Sequence, residues 1–190
     1  DNAKACTMGE YDDVPDVIFV CVKYYSLEET GAFVNRIAKE DTLVIPILNV
    51  FGTGEVMQKY SPKCTVLDGC VYIFSMIEEP GVINQPTSIF KVYFGFRDNQ
   101  NRTMESLAKI VEKDLKSSEI EAYLSDNIKR DTLQKFSFVS PMGAAGLYYH
   151  GVGSDFMVPG EKQNTFISLV EEIESLGHAD RKSTRLNSSH

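Results

Sequence analysis

The sequence predicts an α/β domain in its first half and a mostly α-helical domain in its second. Three observations carry this. Residues 17–22 (Val-Ile-Phe-Val-Cys-Val) and 43–48 (Leu-Val-Ile-Pro-Ile-Leu) are continuous apolar runs, the pattern of strands buried on both faces of a parallel sheet. A helical pattern separates them. Beyond about residue 103 the apolar period becomes 3.6.

Each element follows in order. After Lys23, the residues Leu27, Phe33, Val34 and Ile37 fall on one helical face, and Cys21 inside the first run reads as a core residue. Pro46 is awkward in a central strand because it has no N–H for the ladder. Asn49 ends the second run, and Gly52-Thr-Gly54 opens a short helix through Met57 to Tyr60. Residues 64–67 and 71–74 are short and β-rich, Glu79-Pro-Gly81 is a turn signal, and residues 89–94 alternate like a half-buried strand. The polar residues 97–102 read as a linker, which puts the join near residues 95–103. A helix then carries Met104, Leu107, Ala108, Val111 and Leu115 on one face, with Thr103 as its expected cap. A less regular helical region runs over residues 126–150, and a last helix carries Phe166, Leu169, Val170, Ile173 and Leu176.

Composition narrows the function. The formal charge is −8, and an acidic surface argues against nucleic acid as a partner. No apolar run approaches the roughly 20 residues of a membrane helix. Cys6, Cys21, Cys64 and Cys70 form no CxxC, and no His lies at ligand spacing from them, so neither a metal site nor a disulfide framework is expected and a cytoplasmic location is. Residues 180–190 have no apolar pattern and match, in one reading frame, the translation of a sequencing-library adapter; they are read as an artefact. The first residues look like a cut end, with no initiating Met.

Lys23 and Asn49 follow the two apolar runs directly. Residues just past the carboxyl ends of parallel strands face the ligand crevice of such sheets. A lysine there can pair with a phosphate or a ribose hydroxyl, and an asparagine can both donate and accept. Each also has a plainer reading, as a solvated strand-end charge and as a turn residue. Lys135 lies between apolar Leu133 and Phe136 in a helical stretch, where a lysine often snorkels at the surface.

Four stretches resemble the ketopantoate reductase family in order and spacing. They are Asp16 to Lys23, ending in Val-Lys; Asn49-Val-Phe-Gly-Thr-Gly-Glu55; Glu79-Pro-Gly-Val-Ile83 leading to Val92-Tyr-Phe-Gly95; and Asp126-Asn-Ile128 followed by Leu133-Gln-Lys-Phe136. The resemblance implies a Rossmann-type α/β domain, incomplete and without its first strands, followed by an incomplete helical domain. Residues 1–98 would be the end of a dinucleotide-binding domain and residues 99–179 the start of a substrate domain. It implies NADP(H) as cofactor and reduction of a 2-oxoacid, 2-dehydropantoate first, to its hydroxyacid in pantothenate and coenzyme A synthesis. Lys23, Asn49 and Ser75 would then contact cofactor, Asn49 and Lys135 would contact substrate, and Lys135 would be catalytic. Carbonyl reduction needs a proton on oxygen as hydride reaches carbon, and a partly buried ammonium with a lowered pKa is a suitable donor.

The family usually has Asn four and eight residues after the lysine; this chain has Val139 and Gly143, with Ser140 out of step. The family's Gly-rich phosphate loop is expected before residue 1, and its Ser and acidic residue after residue 179. An inactive binding protein of the same fold and a reductase of a different 2-oxoacid stay open as alternatives. A homodimer is left open for the full-length protein.

Overall fold

The computed structural model of the chain describes residues 3–187 in backbone and residues 3–177 in side chain. The expectation for residues 180–190 therefore concerns side chains outside that description. The chain forms two compact units, Asp1–Thr132 and Leu133–His190.

In the first unit, β1 (Val17–Val20), β2 (Leu43–Pro46) and β3 (Thr65–Val66) form a parallel sheet in that order. Helices α1 (Leu27–Ile37) and α2 (Thr53–Tyr60) connect them. All four β2 residues are buried, because alternate side chains enter different cores. Val44 packs with Val20, Leu27, Val34 and Met57, while Leu43 and Ile45 pack with Leu67, Val92, Phe94 and Ala108. Pro46 fits because Leu43 and Ile47 donate toward β1, to Asp16 and Val20. The N–H that Pro46 lacks would point the other way, past Val44, the last β2 residue paired with β3.

The expected first strand is shorter than read. β1 stops at Val20, Phe19 is 38% exposed, and Cys21 is exposed rather than in the core. The reason is β1's place at the edge of the sheet, with β2 as its only neighbour among the described residues. Burial on both faces needs layers that an edge strand lacks.

A second sheet holds β4 (Asp68–Ile73), β7 (Phe90–Gly95) and β8 (Glu121–Leu124), in the order β4-β7-β8. β4 and β7 are antiparallel, while β7 and β8 are parallel across helix α3 (Glu105–Ser117). The antiparallel β4–β7 pair departs from the parallel pattern of β1 to β3, and residues 97–102 form the loop from β7 into α3. Strand β8 had no clear period of its own, and its pairing to β7 draws α3 into the first unit. Thr103 does not cap α3: Met104 holds the cap position without a side-chain bond, and the Thr103 N–H is taken by Asn101 Oδ1 at 2.9 Å. The turn at Pro80-Gly81 closes a hairpin of β5 (Met76–Glu79) and β6 (Val82–Asn84), two strands not expected from sequence; Gly81 supplies the positive φ of 84°.

One face of the second sheet is core. The other carries Tyr93 stacked on Tyr123, its cross-strand partner, at 4.8 Å, with Tyr72 edge-on to Tyr93 at 5.8 Å. Burial, with smaller contributions from Cys70, Tyr93 and Asp131, pushes the Tyr72 phenol up to about 12. At the strand edge Lys91 Nζ pairs with Glu121 at 2.9 Å. The hydrogen bond between them lowers Glu121 below its ordinary 4.5 and raises Lys91 above its ordinary 10.5. The pair therefore contributes stability that fades as pH falls through the lowered Glu121 value, and again as pH rises through the raised Lys91 value. Urea midpoints of wild type and Glu121→Gln should differ at neutral pH and converge at both extremes. A difference that does not change with pH would exclude this pair as its source.

In the second unit, α4 (Ile128–Tyr149, begun in the first unit) is followed by a 3-10 turn at Gly153–Met157 and by α5 (Glu161–Asn187). Phe156 is buried and its ring lies 6.2 Å from that of Phe166, which meets Phe138 edge-on at 5.9 Å. Tyr149 Oη and Thr165 Oγ1 share a hydrogen bond of 2.9 Å. No helix among the described residues is long and apolar enough to cross a membrane.

Candidate functional site

The parallel register sets Val20 opposite Pro46. Lys23 stands three residues past Val20, and Asn49 three residues past Pro46. Adjacent strands run about 4.8 Å apart, so both side chains leave the same carboxyl edge of the sheet. Lys23 is exposed and extended (φ −82°, ψ 155°), and its carbonyl accepts the Ser26 N–H at 2.9 Å, which turns the chain into a 3-10 turn at Tyr24–Ser26. Asn49 is exposed on a bend, with Leu48 buried just before it. Gly52 then takes φ 77°, a left-handed conformation that favours glycine, and α2 begins.

The N-terminus of α2 is tied down from a distance. The Gly54 N–H donates to Asp68 Oδ1 at 2.8 Å in a buried bond. Asp68 is 8% exposed and its Oδ2 lies 3.9 Å from Arg97 Nη1. Burial pushes the Asp68 carboxyl up, opposed by the Arg97 guanidinium and the Gly54 N–H, with Glu55 adding to the rise. Arg97 Nη1 is itself buried without a hydrogen-bond partner. Asp68 and Arg97 were missed in the sequence reading. The available signal was a lone carboxylate in the β-rich stretch of residues 64–74, since a buried charge demands a partner.

Ser75 is exposed between β4 and β5. Gly69, whose missing Cβ would come 2.9 Å from the Pro46 carbonyl oxygen, marks where β4 passes the end of β2. Ser75 stands six residues further on, on the order of 20 Å of extended chain. The structure thus sets Lys23 and Asn49 on one edge and Ser75 at the root of the β5–β6 hairpin.

Lys135 lies in α4 within the second unit and is 8% exposed, unlike a solvated helix lysine. The helix places Lys135, Val139 and Gly143 on one face, at i, i+4 and i+8. The departures from the family pattern therefore fall on the lysine's own face. Gly143 is exposed, with open space where a Cβ would stand.

For a nicotinamide dinucleotide the residues present fit in part. Lys23 and Asn49 offer exposed donors at a strand edge. The phosphates would need a glycine-rich turn at a helix start, the chain has no G-x-G-x-x-G, and the Gly54 N–H at the start of α2 is already given to Asp68.

Comparison with known proteins gives the relationship. The uncharacterized oxidoreductase YkpB of Bacillus subtilis (strain 168) is 26% identical over 159 residues, covering 83% of this chain and 51% of that protein. The crystal structure of 2-dehydropantoate 2-reductase from Porphyromonas gingivalis W83 matches with a TM-score of 0.75 and 27% identity, over 90% of this chain and 57% of that one. A D-mandelate dehydrogenase in ternary complex with NADH and anilino(oxo)acetate matches with a TM-score of 0.80 and 21% identity, over 92% of this chain and 55% of that one. Both bear out the α/β sheet followed by helices. The chain spans little more than half the length of these relatives. The family model described as Ketopantoate reductase PanE/ApbA matches residues 3–99, just over half of the 190 residues, and the chain belongs to that family.

Proposed function

We propose that this chain serves the NADPH-dependent reduction of a 2-oxoacid, with 2-dehydropantoate as the first candidate substrate. The observation that carries the reading is the pair Lys23 and Asn49, set in step past two register-matched parallel strands, where such sheets bind ligands. Lys23 would hold a phosphate or ribose oxygen of the cofactor. Asn49 would bond both cofactor and substrate, and Ser75 would offer a backbone contact. The cofactor, when bound, supplies hydride to the carbonyl carbon. Lys135 would bind the substrate and give its proton to the carbonyl oxygen, so that the product leaves as the neutral 2-hydroxy group. In this reading residues 1–98 serve the dinucleotide and residues 99–179 the substrate.

A second reading, reduction of a different 2-oxoacid, is favoured by Val139 and Gly143 on the face of Lys135. Neither side chain can hydrogen-bond a substrate hydroxyl.

The test joins residues 3–177 to the parts of the Porphyromonas gingivalis reductase that lie outside its match to this chain, which covers 57% of that protein. NADPH and NADH oxidation is then followed over a panel of 2-oxoacids. Turnover of 2-dehydropantoate with NADPH supports the first reading. Turnover of other 2-oxoacids alone moves the assignment to the second. Nucleotide binding without turnover of any acid identifies a binding protein and defeats both.

A further inference from the structure

Asn49 has an exposed side chain on a bend, so only the backbone on either side can hold it. The anchor before it is plain: β2 runs into the sheet and Leu48 is buried. The anchor after it is not local. Five residues on, the Gly54 N–H is held by Asp68 Oδ1 at 2.8 Å. The fit there leaves no slack, because a Cβ on Gly54 would overlap both Asp68 Oδ1 and the Leu67 carbonyl oxygen and lie 2.7 Å from Arg97 Nη1. Asp68 is fixed in turn. It opens β4, paired opposite Gly95 of β7, and its second oxygen faces Arg97. Arg97 sits on a loop locked onto β3: its own N–H goes to Gln100 Oε1 at 3.0 Å, and Gln100 Nε2 reaches the Val66 carbonyl at 2.8 Å.

We infer that Asp68, backed by Arg97, is a positioning residue for Asn49. It pins the start of α2 to the junction of the two sheets and so sets where the Asn49 side chain stands at the carboxyl edge. This rests on the reading of Asn49 as a cofactor contact. The carboxylate need not touch the ligand. It substitutes for the helix's own missing acceptors at one of the N–H groups that the first turn leaves unpaired, and it spans the junction from β4. The acceptor oxygen carries the role, since the arginine stands at 3.9 Å, beyond hydrogen-bond length.

The experiment uses the isotope-labelled full chain and reads two sites by NMR: amide hydrogen exchange at Gly54 and the side-chain NH₂ resonances of Asn49. Amides of Leu43 and Thr65, which donate to the Asp16 and Thr42 carbonyls of the neighbouring strands, report the sheet. Asp68→Ala should speed Gly54 exchange about tenfold or more and shift or broaden the Asn49 NH₂ signals, with Leu43 and Thr65 unchanged. Asp68→Asn keeps an acceptor oxygen and should restore the Asn49 signals to near their wild-type positions, an outcome that a general loss of packing would not produce. If Asp68→Ala does not fold, the wild-type chain still decides through pH. The charged groups acting on Asp68 are Arg97 beyond β7 and Glu55 on α2. The Gly54 amide and the Asn49 NH₂ should then move together with one midpoint, above that of an ordinary aspartate. Gly54 moving while Asn49 stays still would overturn the inference, as would an Asp68→Ala chain with both sites unchanged. NADPH is then titrated into isotope-labelled wild-type and Asp68→Ala forms of the joined reductase, because this chain by itself has no G-x-G-x-x-G turn for the phosphates. Asn49 shifts that saturate in wild type and need about tenfold more nucleotide in Asp68→Ala support the whole chain of argument. An absence of NADPH-induced shifts in wild type sinks the cofactor reading alone, while the coupling of Gly54 to Asn49 is decided by the first measurement.

Discussion

Changing Lys135 to Ala in the joined reductase is expected to lower kcat about 100-fold or more, the lower end of what a positioned general acid contributes, while NADPH affinity stays within a few-fold of wild type. Hydride addition to the carbonyl makes an alkoxide, and an alkoxide left unprotonated away from water is costly. A buried ammonium answers both needs, attracting the substrate carboxylate and releasing a proton to the new oxygen. Lys135 is buried on α4, and the Thr132 hydroxyl one turn earlier folds back onto the Ile128 carbonyl at 2.8 Å. Lys135→Arg should rescue little, because guanidinium does not give up its proton and its fork reaches differently. Single-turnover NADPH oxidation by the three proteins separates this from a binding defect. An alanine variant within a few-fold of wild type would show that the lysine is structural.

Gly31→Ala should destabilise the first unit by about 2 kcal/mol and lower its melting temperature by roughly 4–8 °C. Gly31 lies inside α1, where alanine would ordinarily favour the helix by about 1 kcal/mol. Here a Cβ would overlap the Cβ of Tyr60 and come 3.0 Å from its Cγ. A Cβ cannot rotate away, so α1 and α2 must separate. That separation also strains the buried hydrogen bond from Ser61 Oγ to the Gly31 carbonyl at 2.9 Å, worth about 1 kcal/mol. Gly143→Ala is the control: its site is open, and there alanine should leave stability equal or slightly higher. Thermal melts followed by circular dichroism compare the two, and a Gly31→Ala melt at or above wild type would refute the close-crossing argument.

The elements legible from sequence were those whose signal is local. The apolar runs at residues 17–22 and 43–48 and the stripe from Leu27 to Ile37 became β1, β2 and α1 because burial dictates their side-chain periods. The order of motifs around Lys23, Asn49 and Lys135 was enough to point to the family that the comparison then established. The misses share one cause. Strand β8 buries only Ala122 among Glu121, Tyr123 and Leu124, so it has no apolar run like those of β1 and β2, and it becomes a strand by pairing with β7. Cys21 looked like core because a run of apolar letters does not say whether the strand is central or at an edge.

What the sequence determined by itself was the class of fold, the strand-end setting of Lys23 and Asn49 and the helical setting of Lys135, all properties of runs of a dozen residues or fewer. Only the tertiary structure decided that residues 105–124 join the first unit, that Gly31 must lack a side chain and that Asp68 holds the start of α2. Those depend on contacts between residues far apart in the chain: 14 positions from Gly54 to Asp68 and 30 from Gly31 to Ser61. Closing such loops costs entropy that only the assembled core repays, so no local pattern of letters announces them.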